Sequence, residues 1–150
     1  MIFSKTHTVH VVGAGLAGSE CALQLADKGY QVLLFEMRPE TMTPAHKTGL
    51  FAELVCSNSL GSVVEPSAPS QMKWEMEKLG SAVLAAAKAH AVPAGQALSV
   101  DRELFSKEIT ERIRNHPNIR CIDRVVKSLD DVGRPAVIAT GPLTNESLAA

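Results

Sequence analysis

Three glycines and one acidic residue stand at the spacing of a nucleotide-binding site. The glycines form the pattern Gly13-x-Gly15-x-x-Gly18, and Glu36 ends an apolar segment roughly 20 residues later. In this pattern the first glycine allows a tight turn, the second lets the backbone approach a pyrophosphate, and the third lets a helix lie close to a sheet. Glu36 would accept hydrogen bonds from an adenosine ribose, and its charge would disfavour a 2′-phosphate.

The segments on both sides of the glycines are those that such a site requires. An apolar strand ends at Val12, a helix follows the glycines and stops at Gly29, and a second apolar strand covers Gln31 to Glu36. The helix N-terminus offers free N–H groups and a positive dipole end to phosphates. The predicted cofactor loop consists of Gly13, Ala14, Gly15, Leu16, Ala17 and Gly18. The alternative is a glycine-rich turn that binds nothing.

Composition favours one globular domain without a metal site. The chain has 150 residues, 45% of them hydrophobic, and a net charge of −1, which gives no electrostatic sign of nucleic-acid binding. No segment is long and apolar enough for a membrane helix, and residues 1–6 are too short and polar for a signal peptide, so we expect a cytoplasmic protein. Cys21, Cys56 and Cys121 are far apart, which suggests neither a disulfide framework nor a zinc site.

A polar segment rich in proline follows the second strand and is predicted to be an insertion loop over residues 37–70. Insertions of this length in compact domains are usually functional or disordered. Within it, Gly49–Cys56 is predicted to form one or two helical turns with Phe51, Leu54 and Val55 on an apolar side. Such a side would anchor the loop to the domain.

The remaining pattern alternates helices and strands. Residues 71–90 are predicted to form one long amphipathic helix that Gly80 weakens without ending, and Asp101 is predicted to cap a helix over residues 102–114. Residues 97–100, 119–122 and 125–129 are strand candidates. The apolar stripes of the two helices would be Met72, Met76, Leu79, Val83, Ala86 and His90 in the first, and Leu104, Phe105, Ile109 and Ile113 in the second.

Residues 135–142 are predicted to form a buried strand that runs into a glycine turn. This turn, with Thr140 and Gly141, would bring the backbone close to the nucleotide a second time. The predicted fold is therefore α/β, a Rossmann-like dinucleotide-binding domain with a long insertion.

Six sequence blocks resemble, in this order, the N-terminal part of the folate- and FAD-dependent tRNA (uracil-5-)-methyltransferases, relatives of the GidA-type tRNA-modifying flavoproteins. The most specific block is Phe-Ala-Glu-Leu-Val-Cys-Ser-Asn-Ser over residues 51–59. The other blocks cover residues 36–39, 43–46, 92–95, 100–102 and 139–144. The resemblance spans nearly the whole chain.

The resemblance implies an FAD-binding domain and a methyl-transfer reaction. Methylenetetrahydrofolate would supply a one-carbon unit to C5 of a uridine in the tRNA T-loop, reduced FAD would complete the methyl group, and NAD(P)H would restore the flavin. Glu36, Arg38, Thr140 and Gly141 would join the glycine loop in holding FAD, and Cys56 would lie close to the flavin as a nucleophile. Uracil C5 is a poor nucleophile, so this chemistry generally needs a thiolate to add at C6.

Family members are much longer than this chain, so the resemblance also implies truncation before a second domain that would contact tRNA. Around residues 61–67 the chain differs from many members, which keeps a related flavoprotein that methylates ribosomal RNA as an alternative. Two more alternatives stay open: an NAD-binding oxidoreductase domain, and a truncated chain that catalyses nothing. Cys56 is equally compatible with a half-buried structural cysteine, and His46 with loop packing.

Overall fold

The computed structural model describes residues 8–150, so the opening segment of residues 1–6 lies outside the described residues. The chain first forms a βαβ unit with β1 (Thr8–Val12), α1 (Leu16–Asp27) and β2 (Gln31–Glu36). β1 and β2 are parallel, and Val9 lies opposite Val32. The predicted strand, helix and strand around the glycines are all confirmed.

A long excursion separates β2 from the next strand of the parallel sheet. The described residues 37–58 contain no helix or strand, so the helical turns predicted within Gly49–Cys56 are not formed. The excursion then forms β3 (Ser59–Ser62), α2 (Ala68–Lys78), α3 (Ala82–Ala89), β4 (Ala91–Val92), β5 (Ala97–Val100) and α4 (Arg102–Arg114). Strands β3, β5 and β4 pair in this order as a small antiparallel sheet.

The C-terminal part returns to the parallel sheet with β6 (Ile119–Asp123), β7 (Ala136–Ile138) and the short helix α5 (Glu146–Ala149). The strand order is β6-β2-β1-β7, with every neighbouring pair parallel. β1 therefore lies between the strand that precedes the excursion and the last strand, and the carboxyl ends of all four strands meet at one edge. The Rossmann-like α/β fold is confirmed.

Buried hydrophobic clusters of different size cover the two faces of the parallel sheet. Val11 and Leu34 face the larger cluster, which α1, α3 and α4 cover with fully buried side chains such as Phe105. The adjacent residues Val12 and Phe35 point to the opposite face and a smaller cluster. Among residues 8–150, no helix combines the length and apolar character needed to cross a membrane.

The predicted long helix over residues 71–90 is wrong, because the chain breaks between α2 and α3. Gly80 has φ +71°, the N–H of Gly80 donates to the carbonyl of Glu77 (3.0 Å), and the N–H of Ser81 donates to the carbonyl of Met76 (3.0 Å). This is a Schellman motif, in which glycine adopts the left-handed conformation that ends a helix. Leu79 is consequently 77% exposed rather than part of a core stripe.

Three further expectations are corrected. Met72 and Leu104 are exposed, whereas Lys73 is buried and donates to the carbonyls of Ser62 (3.0 Å) and Pro69 (3.2 Å). Residues 125–129 form no strand, because Ser128 instead caps a short 3₁₀ turn at Leu129–Asp131. Of the strand predicted over residues 135–142, only Ala136–Ile138 forms β7. It is not buried as predicted, because β7 is an edge strand of the described sheet: Val137 and Ile138 are exposed and Ala136 is half-buried.

Candidate functional site

A cleft of about 300 Å³ lies at the carboxyl ends of the parallel strands. It is lined by the glycine loop, the end of β2, the segment after β6 and the turn after β7. Of the predicted site residues, the cleft wall includes Gly13, Gly15, Leu16, Ala17, Glu36, Arg38, Thr140 and Gly141. Ala14 and Gly18 lie behind this wall and are buried, and Cys56 does not line it.

The glycine loop leaves open space where a phosphate would have to lie. Gly13 has φ +95°, and a Cβ there would lie 2.8 Å from the carbonyl oxygen of Ala139. A Cβ on Gly18 would overlap the carbonyl oxygen of Gly13, so α1 packs directly on the turn. Gly15 differs from both, because its φ is −71° and an added Cβ would meet no protein atom within 4 Å. The space beside Gly15 at the N-terminus of α1 therefore fits a pyrophosphate.

Glu36 ends β2 as a buried carboxylate, 6% exposed, with four donors around it. Oε2 accepts from the N–H of Ala14 (2.8 Å) and from Nη2 of Arg38 (3.3 Å). Oε1 accepts from the backbone N–H of Arg38 (3.1 Å) and from its Nε (3.0 Å). The predicted ribose acceptor is thus tied to the glycine loop through Ala14.

Arg38 is 2% exposed and links β2 to the segment that follows it. Its Nη1 lies 3.3 Å from Oε2 of Glu53, while its Nε is paired with Glu36. Glu53 also accepts from the backbone N–H of Lys47 (2.9 Å) and from both the N–H (3.1 Å) and the hydroxyl (2.8 Å) of Thr48. Arg38 therefore holds two carboxylates together at the cleft wall.

The groups around Glu36 and Glu53 lower the pKa of both carboxyls. Burial alone would raise the pKa of Glu36. The hydrogen bonds from Arg38, its positive charge and the hydrogen bond from the N–H of Ala14 outweigh this effect, so the pKa is lowered. The pKa of Glu53 is also lowered, because hydrogen bonds from Lys47 and Thr48 exceed the effect of its burial. Both side chains are therefore carboxylates at neutral pH.

His46 lies in the cleft wall beside this group, with Nδ1 2.6 Å from the hydroxyl of Thr43. Burial, followed by the charge of Arg38, lowers the pKa of His46, although Glu53 and Glu36 act in the opposite direction. His46 is therefore neutral at neutral pH.

The turn after β7 forms the wall opposite β2. Its backbone begins with Thr140 and continues through Gly141, which has φ +63°. The hydroxyl of Thr144 donates to the carbonyl of Gly141 (2.7 Å) and lies 2.6 Å from the hydroxyl of Thr140. Thr140 and Gly141 thus lie in the same cleft as the glycine loop.

Sequence reasoning missed several cleft residues. Arg124 lies over the ring of Phe35, 5.2 Å from its centre, and donates to the carbonyl of Asp131 (3.0 Å). Val125 and Val126 follow it along the wall, where a strand was predicted. Their position directly after a strand of the parallel sheet is the signal that points to them, because ligands bind at the carboxyl ends of such strands. Nothing in the sequence pointed to Glu53 except its place within residues 51–59, the most specific block of the family resemblance.

Cys56 is exposed and follows Val55, which does line the cleft. The next element along the chain is β3, so Cys56 does not lie directly before a helix. Cys21 and Cys121 pack against the larger core cluster, and burial raises the pKa of both thiols.

Residues 8–149 match the family model described as Glucose inhibited division protein A. The chain belongs to this family, GidA. Its relatives include proteins described as methylenetetrahydrofolate–tRNA-(uracil-5-)-methyltransferase TrmFO. That of Bdellovibrio bacteriovorus is 65% identical over 97% of this chain and 33% of its own length. Those of Sulfurihydrogenibium and Bacillus subtilis are 58% and 55% identical over 94% and 95% of this chain, and 32% of their own lengths.

The GidA-family chain thus spans about a third of the length of the curated relatives it matches (33% and 32%). The resemblance drawn from the six blocks is confirmed. Among solved structures, 2-methyl-3-hydroxypyridine-5-carboxylic acid oxygenase superposes on 77% of this chain at 17% identity, with a TM-score of 0.44 and 31% of its own chain covered. That superposition is too loose to bear on function.

Proposed function

We propose that this chain binds FAD in the cleft at the carboxyl ends of the parallel strands. The observation that supports the proposal is the open space beside Gly15, at the N-terminus of α1 and next to the buried carboxylate of Glu36. The glycine loop, Gly13 to Gly18, would hold the pyrophosphate, and Glu36 would accept from the adenosine ribose. Arg38, Thr140 and Gly141 would complete the wall around the nucleotide.

We further propose that the whole protein methylates C5 of a uridine in the T-loop of tRNA. The names of the relatives support a tRNA substrate over ribosomal RNA, and methylenetetrahydrofolate as the one-carbon donor. FAD would supply the redox step, with NAD(P)H as its reductant. In this proposal Cys56 acts as a nucleophile beside the cleft, and parts of the protein beyond this chain contact the tRNA.

The first experiment is a visible absorption titration of the purified chain with FAD, and a separate titration with NADH. We expect a saturable change in the flavin spectrum. Gly15→Val should abolish it, because a side chain at Gly15 would fill the open space while its φ of −71° suits any residue. Ala94→Val, at an exposed position that does not line the cleft, serves as the control.

Saturable NADH binding without FAD binding would contradict the proposal and support the NAD-binding alternative. Binding of neither ligand by a folded chain would also contradict it. FAD binding that Gly15→Val leaves intact would place the nucleotide elsewhere.

A further inference from the structure

We propose that Glu53 is a positioning residue for the adenosine ribose, acting on Glu36 through Arg38. This proposal rests on FAD binding in the cleft. Glu53 belongs to the excursion after β2 and lies outside the glycine motif, yet a closed circuit of hydrogen bonds connects it to the glycine loop.

The circuit joins five residues from three segments. The N–H of Ala14 donates to Glu36, Arg38 donates to Glu36 and to Glu53, and the N–H of Ala52 donates to the carbonyl of Ala14 (2.8 Å). Ala52 and Glu53 are neighbours in the chain, so the circuit closes. The glycine loop is therefore held through both polar groups of Ala14, one by Glu36 and the other by the excursion.

Ribose binding requires Glu36 to exchange a donor. A carboxylate offers about four acceptor sites, and Glu36 already accepts four hydrogen bonds. The four hydrogen bonds to Glu36 differ in length. Ala14 donates at 2.8 Å, Nε and the backbone N–H of Arg38 donate at 3.0 and 3.1 Å, and Nη2 of Arg38 makes the longest bond at 3.3 Å. A ribose hydroxyl would displace this contact first.

Glu53 makes that exchange possible. When Nη2 leaves Glu36, the buried guanidinium of Arg38 loses part of its pairing, which is costly for a buried charge. Nη1 already lies 3.3 Å from Oε2 of Glu53, so a full carboxylate stays beside the cation. Three donors from Lys47 and Thr48 hold Glu53 in place and keep its pKa low. Glu53 thereby keeps Arg38 oriented while Glu36 turns to the ribose.

A purely structural role for Glu53 would act through the stability of the excursion alone. Thr110 provides the matched control, because its hydroxyl accepts from the N–H of Phe51 (2.8 Å) and so anchors the same segment outside the circuit. Thr110→Val should destabilise the segment without touching Arg38 or Glu36.

The experiment measures Kd for FAD and for FAD that carries 2′-deoxyadenosine, in wild type, Glu53→Gln, Glu36→Gln, the double variant and Thr110→Val. We expect Glu53→Gln to raise the Kd for FAD about tenfold and the Kd for the deoxy analogue by at most about twofold. The double variant should bind FAD no more weakly than Glu36→Gln, because coupled residues are not additive. Thr110→Val should leave the ratio of the two Kd values unchanged.

An equal loss for both ligands, additive losses in the double variant, or the same ratio change in Thr110→Val would overturn the inference. If Glu53→Gln does not fold, Thr48→Val replaces it, since Thr48 is exposed and its hydroxyl holds Glu53. Thr48→Val should then raise the Kd for FAD about threefold and leave the Kd for the deoxy analogue unchanged, and an unchanged Kd for FAD would overturn the inference. If wild type binds no FAD, the proposed function fails and this inference fails with it.

Discussion

Glu36 shows how one side chain can be buried and still charged. Arg38 supplies the positive charge and three of the four hydrogen bonds, and Ala14 supplies the fourth. Because hydrogen bonds to the ionised form lower a carboxyl pKa, Glu36 stays an acceptor without a proton to donate. A ribose, which has hydroxyl donors, matches that character, whereas a 2′-phosphate does not.

The lowered pKa of Glu36 predicts how stability depends on pH. The folded pKa lies below the ordinary value of 4.5, so the stabilisation is fully present above that value and is lost as pH falls through the folded pKa. Glu36→Gln should therefore cost about 3–5 kcal/mol at neutral pH, the effect of breaking a buried pair, and progressively less as the pH falls below 4.5. Urea unfolding across this range measures the difference.

The control for this series is Glu111→Gln, at an exposed position of α4. It should shift the unfolding free energy by less than about 0.5 kcal/mol. A Glu36→Gln deficit that stays constant with pH would contradict the argument from ionisation.

The three cysteines should differ in reactivity toward a small alkylating reagent. Cys56 is exposed, whereas burial raises the pKa of both Cys21 and Cys121 and reduces their thiolate fraction. Cys56 should therefore be modified at least about tenfold faster, as read by mass spectrometry of timed digests. Comparable rates at all three positions would show that exposure does not control their chemistry.

At the scale of elements, polar side chains from elsewhere in the fold decide where helices begin and end. Glu20 lies within α1 but caps α3, because its carboxylate accepts from the N–H groups of Ala82 (3.1 Å) and Val83 (2.8 Å) and from the hydroxyl of Ser81 (2.8 Å). The break between α2 and α3 is thus fixed from both sides, by Gly80 and by Glu20.

Gly80→Ala should destabilise the chain by about 1–2 kcal/mol, the cost of placing an L-residue in the left-handed conformation. Its φ of +71° is the reason, since an added Cβ there meets no neighbour within 4 Å. Gly15→Ala is the matched control for stability without cofactor, because its Cβ also meets no atom but its φ is −71°. Chemical unfolding of both variants tests the difference, and equal stabilities would refute the role of backbone conformation.

Local patterns predicted the βαβ unit, the cap at Asp101 and strand β5, because apolar periodicity and capping residues act within a few positions. They could not predict that Lys73 is buried, since its partners are the carbonyl at the end of β3 and one in the first turn of α2. In the site, the glycine motif indicated the loop and Glu36. The role of Glu53 depends on its contact with Arg38, 15 residues earlier, which no local sequence pattern predicts.

At the scale of the whole molecule, a cofactor that binds only the folded chain must stabilise it. With free FAD at about 100 times its Kd, the expected gain is about 2.7 kcal/mol. The melting temperature should rise by about 5–10 °C, given the usual 2–4 °C for each kcal/mol in chains of this size. Thermal unfolding with and without FAD measures the gain.

The Gly15→Val variant controls this measurement. It should melt at the same temperature with and without FAD, because the cleft is filled. A stabilisation shared by wild type and this variant would indicate that FAD binds outside the cleft.

The edge strand β7 should make self-association of this chain depend on its concentration. Among the described residues β7 pairs only with β1, and it exposes Val137 (38%) and Ile138 (43%). An exposed apolar edge presents backbone donors and acceptors to any other strand, including the same strand of a second copy. At high concentration, pairing between β7 strands of two copies would bury this apolar edge and lower the solubility of the protein. The monomeric chain should therefore be studied in dilute solution.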